Sequence, residues 1–174
     1  YMVAIGVGVT AMIRVGNEKG KGNFRNLRRL AISTFLLIFL LDFVFCLFFI
    51  ASNEYLPRMY LDSSGPIVSQ DVIEVVKIAS SLILIAAFFQ IADGVQAVVL
   101  GALRGMQDVS VPAFLIFIAY GAIGFPVSYY FGLKTDLATD GIWLGLLTGL
   151  TFSALFLVFR FQYLTNKLII QNQF

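Results

Sequence analysis

The 174-residue chain is 59% hydrophobic and only 13% charged, with a mean hydropathy of +0.89 and a net charge of +2. That balance excludes an ordinary soluble domain, because several apolar runs are long enough to cross a hydrocarbon core of roughly 30 Å. With no histidine and a single cysteine, Cys46, inside an apolar run, disulfide frameworks and zinc or iron centres are excluded as well.

In chain order, residues 1–13 are apolar but reach only about 20 Å at helical rise, too short to cross. They lack the basic start and small-residue cleavage site of a signal peptide, and the chain opens on Tyr1. Residues 1–14 are therefore read as a truncated helix, and the chain as the C-terminal part of a larger membrane protein. The basic stretch 14–29 follows. Its glycine run Gly16 to Gly22 is one residue short between glycines for a phosphate-binding loop and lacks the Ser or Thr that would hold Mg²⁺. Attraction to anionic lipid headgroups accounts for Arg14, Lys19, Lys21, Arg25, Arg28 and Arg29. No nucleic-acid partner is expected.

Four spans come next, at residues 30–52, 75–103, 111–133 and 141–159, with a tail at 160–174, so the expected fold class is an all-α polytopic membrane bundle. Loops alternate sides, and one side collects nine basic residues against Glu18 and Asp108. The other carries Arg58, Lys77 and Lys134 against six acidic residues, so the first side is cytoplasmic by the positive-inside rule. Residues 14–29 and the C-terminus then lie inside; 53–71, with the turn residues Pro57, Ser63, Ser64, Gly65 and Pro66, and 134–140 lie outside. Tyr55, Tyr60, Tyr129, Tyr130, Trp143 and Tyr163 fall near span ends, as interfacial anchors do.

Small residues are spaced for helix packing. Gly141, Gly145, Gly149 and Ser153 recur every four positions in the last span, and Gly94, Gly101 and Gly105 share a face of the second. Pro126, behind Gly121 and Gly124, removes a backbone donor and is expected to kink or loosen the third span. Pro112 sits where a first-turn proline is harmless.

Two carboxylates lie deep in these spans. Asp93 is eleven residues beyond Arg104, about 16 Å at helical rise and close to the midplane. An ionisable group there costs several kcal/mol or so unless it faces water, a partner or an ion path. Gln90 and Gln96, three residues to either side, and Ala97, four beyond, give Asp93 a polar, small-residue face suited to a cavity. Asp42 is thirteen residues from Arg29 and equally deep, but its helical neighbours Ile38, Phe39, Phe45 and Cys46 are apolar. Pairing across helices, a second proton path and local water penetration all remain open for it.

Phe88-Phe89-Gln90-Ile91-Ala92-Asp93-Gly94-Val95-Gln96, then Gly101-Ala102-Leu103-Arg104-Gly105, then Asp108 and Pro112, closely resemble the tenth helix and following loop of multidrug and toxic-compound extrusion (MATE) transporters. Arg14-Val15-Gly16-Asn17 resembles the end of that family's eighth helix, Tyr120 with Gly124-Phe125-Pro126 its eleventh, and Gly141-Ile142-Trp143-Leu144-Gly145-Leu146 its twelfth. The ordered set covers nearly the whole chain.

The resemblance implies a twelve-helix parent of two six-helix lobes, with this chain holding most of the second and lacking the first lobe and the seventh helix. It also implies a NorM-like cation site at Asp93, usually completed by a carboxylate from the seventh helix, and no cofactor beyond the coupling ion, H⁺ or Na⁺. The function that follows is cation-coupled antiport of organic, often cationic, small molecules across the cytoplasmic membrane. Gln90 and Gln96 are candidate supporting groups, and Phe88, Phe89 and Tyr120 candidate cavity-lining groups. The remaining partners are membrane lipids and the first lobe. The nearest rival is a lipid-linked oligosaccharide flippase of the same superfamily, which would want a basic cavity, whereas no Arg or Lys lies mid-span here. A membrane-embedded enzyme would need an Asp42–Asp93 dyad or another nucleophile set.

Overall fold

The computed structural model describes residues 2–60 and 70–171. Helix α1 (Met2–Gly20) ends in a tight turn and leads into α2 (Phe24–Ser52), followed by the short α3 (Tyr55–Tyr60) and the long α4 (Gln70–Gly105). Helix α5 (Ser110–Ile118) passes through a π-helical segment (Ala119–Gly124) into α6 (Phe125–Leu133), and α7 (Ala138–Gln171) closes the lobe. Among the described residues, four segments are long and apolar enough to cross a membrane: Phe24–Ser52, Ile73–Gly105, Ser110–Leu133 and Ala138–Gln171. Backbone groups in hydrocarbon must be satisfied within the segment, which a helix does and an open strand does not. Asp62, Ser63, Ser64, Gly65 and Pro66 of the expected outer loop lie outside the described residues.

The basic stretch 14–29 is not a loop. Only Lys21, Gly22 and Asn23 separate α1 from α2, so most of its charges stand on helix ends. Gly22, at φ +70°, takes the left-handed conformation that lets its own N–H and that of Asn23 return to the Lys19 and Glu18 carbonyls. Asn23 then caps α2, its Oδ1 accepting from the Asn26 amide at 3.2 Å. Helix α4 ends in the same way, with Gln107 at φ +64° and the Asp108 N–H returning to the Leu103 carbonyl. Lys19 binds the two ends together, donating to the Met106 carbonyl at 2.6 Å and to Gln107 Oε1 at 3.1 Å.

Helix α4 is the centre of the lobe, with α1, α2 and α7 all packed on it. Gly8 and Gly101 bring the α1 and α4 backbones together, and a Cβ at Gly101 would overlap the Gly8 carbonyl. Gly105 meets the Met12 carbonyl in the same way. Around these approaches, Val15, Leu27, Ile38, Val98, Leu103, Leu157 and Phe161 form a sealed core with Phe35 edge-on to Phe161 at 5.2 Å. Most large apolar residues on the outer faces, such as Leu40, Val44, Phe117 and Phe159, stay exposed, as lipid-facing side chains must in a protein taken without its bilayer.

The π segment answers the Pro126 expectation. Pro126 cannot donate to Ala122, and its ring would press on that carbonyl in a regular helix. The turn widens just ahead of it, where the Phe125 N–H reaches back five residues to the Tyr120 carbonyl. At the same level Gly124 lies on Gly149, so a Cβ there would come within 3.1 Å of the Gly149 Cα. Residues 160–171, expected as a tail, continue α7 as helix. Arg160 within it forms a two-point ion pair with Asp108, at 2.8 and 3.3 Å, pinning α7 to the end of α4.

Two outcomes follow for the full-length protein. A Cβ at Gly145 would run into the Ser128 backbone of α6, so Gly145→Leu should lower the yield of folded protein several-fold more than Leu146→Ala, measured by fluorescence-detected gel filtration. At the α1–α2 turn, Asn26 Nδ2 and Lys21 Nζ donate to Glu18 at 2.7 and 2.9 Å and hold its carboxyl below the usual range. A depressed carboxyl stabilises the fold above its unfolded-state pKa, and that stability is lost as pH falls through the folded value. Glu18→Gln should therefore melt below the wild type at neutral pH, with the gap closing as the solution is acidified past the ordinary glutamate range.

Candidate cation site

Asp93 sits on α4 between its two glutamines, half-buried, and its position follows from the glycine approaches below it. Because Gly8 and Gly101 let α1 lie close on α4 toward the C-terminal half of α4, a groove of about 340 Å³ runs between the two helices. Gly8 and Met12 line it from α1, and Asp93, Gln96 and Leu100 from α4, down to Arg104 at the C-terminal end of that helix. The groove thus carries the Asp93 carboxyl toward one end and the Arg104 guanidinium at the other.

Gln96 extends the polar wall. Its Oε1 accepts from the Tyr120 hydroxyl at 3.5 Å, which ties α4 to the π segment, and the Asp93 charge acts on that same tyrosine. The third span is thus attached to the Asp93 face where its helix is widened and least regularly bonded. Gln90 turns the other way, its amide within hydrogen-bonding reach of Asp42 on α2. The two glutamines therefore flank Asp93 as the spacing implies, but they serve two different neighbours.

Asp42, whose surroundings the sequence leaves open, lies in the seam between α2 and α4, only 5% exposed, against Gly94 and one residue round the helix from Asp93. The signal for it is present in the sequence only as Gly94, which reads there as one of three helix-packing glycines. A Cβ at Gly94 would overlap the Asp42 carboxyl, so that glycine makes room for a side chain, whereas Gly101 and Gly105 make room for a backbone.

The three aromatic candidates do not gather on one cavity. Phe88 is exposed in an apolar hollow with Phe39, Ile91 and Leu155, between α2, α4 and α7. Phe89 turns edge-on to Trp143 of α7 at 6.0 Å. Tyr120 borders a separate apolar hollow of about 410 Å³ with Phe125, Tyr129 and Leu146. Phe88 and Phe89 are consecutive and so point about 100° apart on the helix.

A family model described as MatE matches residues 1–130. Among curated relatives, a protein named "Probable multidrug resistance protein NorM" from Agrobacterium fabrum is 34% identical over 167 residues, covering 96% of this chain and 35% of that protein. One named "Multidrug resistance protein MdtK" from Proteus mirabilis is 34% identical over 172 residues, with the same two coverages of 96% and 35%. This chain thus spans about a third of the length of the curated relatives it matches. Among solved structures, the crystal structure of the eukaryotic MATE transporter AtDTX14 superposes with a TM-score of 0.81 at 19% identity, over 99% of this chain and 38% of that one. At that identity the likeness shows the fold alone.

Proposed function

The chain belongs to the MatE family, and from that premise we propose that it forms the greater part of the second lobe of a twelve-helix antiporter that exports small organic, often cationic, compounds. Export is driven by a cation, H⁺ or Na⁺, through alternating access across the cytoplasmic membrane. The names of the relatives, which are multidrug resistance proteins, support the substrate class. Their greater length supports a first lobe as the partner of this one. The charge asymmetry between the two sides supports a cytoplasmic C-terminus.

The observation that carries the reading is the position of Asp93 at the head of a groove leading to the cytoplasmic end of α4. An ionised carboxylate at that depth makes one arrangement of the lobe expensive, and a bound cation removes the expense. Coupling requires only that the cation bind the inward- and outward-facing states with different affinity, and its effect is no larger than that difference. Two features suit the lobe to respond. Gln96 and Tyr120 tie the Asp93 face to the π segment, and the π segment rests on α7 through Gly124 and Gly149. A change at Asp93 therefore bears on the irregular turn of the third span, where the helix can bend at least cost.

Flipping of a lipid-linked oligosaccharide would ask for cationic groups facing a pyrophosphate. In the groove the mid-depth charge is a carboxylate, and Arg104 stands only at the cytoplasmic end. An aspartyl enzyme would need Asp42 and Asp93 to face one substrate, whereas Asp42 is closed into the α2–α4 seam where no peptide could reach it.

In the full-length transporter reconstituted in liposomes, Asp93→Asn keeps side-chain shape and hydrogen bonding but removes the charge. Gradient-driven export should fall on the order of tenfold or more, while substrate binding persists. Wild-type export by Asp93→Asn under an imposed Na⁺ or proton gradient would sink the proposed coupling role.

A further inference from the structure

The coupling reading leaves Asp42 without a task. It is buried to 5% exposure, and among the described residues its Oδ2 has no hydrogen-bond partner. Leaving a carboxyl oxygen so placed costs several kcal/mol in order-of-magnitude terms if the group is ionised. The packing around it is nonetheless shaped to admit it. Gly94 gives the carboxyl its space, the Asp42 Cγ would stand 2.8 Å from a Cβ there, and Ile38 covers the same spot from the preceding turn of α2.

What surrounds Asp42 is short of positive charge. From α4 it meets the Gln90 amide and the charge of Asp93. Between Met2 and Ile13, α1 carries no ionisable side chain, and α7 carries none between Asp140 and Arg160. Among the described residues of the packed elements, no basic side chain faces the two aspartates at this depth. Two carboxylates that feel one another in a low-dielectric seam do not both stay ionised without a counter-charge.

We propose that Asp42 is a second carboxylate of this lobe's cation site: Asp42 and Asp93, with the Gln90 amide between them, take up one monovalent cation, a proton or Na⁺, across the seam of α2 and α4. The proposal rests on reading Asp93 as cation-binding. A Gln side chain can donate to an ionised carboxyl, accept from a protonated one, or offer its oxygen to Na⁺, so Gln90 serves every state of the site. Release of the cation leaves like charges on α2 and α4, and their repulsion is relieved by separation of the two helices. The charge state of the site thereby acts on α2 as well as on the π segment.

The test uses the purified full-length transporter and follows carboxyl absorption by infrared difference spectroscopy. One arm titrates pH in the absence of Na⁺, and the other titrates NaCl at fixed pH. In the wild type both aspartates should respond together in at least one arm, and the arm in which they do identifies the cation. Asp42→Asn should delete one carboxyl signal and weaken cation uptake at Asp93 by about tenfold, since a neighbouring like charge is lost. Asp93→Asn should shift the Asp42 signal reciprocally. Asp42→Ser provides a second uncharged variant should the amide impair folding, judged by gel filtration. Unchanged midpoints at Asp93 in both arms, in either folded variant, overturn the proposal, because loss of packing alone would alter stability without moving a titration. If Asp93→Asn still exports normally but the two carboxyls titrate as a pair, the coupling role falls while the two-carboxylate site stands.

Discussion

Membrane helices gain no hydrophobic free energy by leaving lipid for one another, so this lobe is held by backbones brought close enough for dispersion contacts. Helix α4 is where that requirement is met. Gly101 and Gly105 receive α1, Gly94 receives the Asp42 side chain of α2, and the opposite side of α4 packs on α7. Every functional feature inherits its position from these contacts. The groove exists because α1 lies close at Gly101, Asp93 stands at its head because it is two turns further up the same helix, and Asp42 is trapped because Gly94 has no side chain.

The polar fastenings are placed where water can reach them. Lys19 on the end of α4, Glu18 with Lys21 and Asn26, Arg28 with Asn166, and Arg160 with Asp108 all lie at one end of the lobe, the end that carries most of the basic residues. Three of the six basic residues that the sequence offers to lipid headgroups, Lys19, Lys21 and Arg28, are thus engaged with the protein, while Arg14, Arg25 and Arg29 are exposed. Within the spans, α4 reaches its neighbours through Gln90 to Asp42 and Gln96 to Tyr120, while Thr34, Ser128, Thr148 and Thr151 bond to backbone carbonyls.

The spans and the packing glycines are legible in the sequence because each depends on a single helix and its period. Asp42 is illegible for the complementary reason: its surroundings are set by which helix faces which, and nothing in α2 alone announces Gly94. The π segment is half legible. Pro126 shows that regular bonding fails nearby, but whether a helix answers with a kink or a widened turn depends on the fit of Gly124 against Gly149. The charges of residues 14–29 suggest a loop, whereas a glycine-terminated turn of three residues suffices because α1 and α2 are antiparallel neighbours on α4. The aromatic trio is spread over separate surroundings, since Phe88 and Phe89, consecutive on a helix, point about 100° apart and Tyr120 borders a hollow of its own.

The central claim is that the Asp93 face of α4 is wet as far as mid-membrane. Single cysteines placed along α4 of the full-length protein, with Cys46 replaced, test it directly by their rate of reaction with a water-soluble thiol reagent. Cysteines at Gln96 and Leu100 should react at rates approaching that at Arg104, while those at lipid-facing Phe88 and buried Val99 should stay inert. Reaction confined to Arg104, with Gln96 and Leu100 as unreactive as Phe88, would mean that no aqueous path reaches Asp93 and would contradict the account.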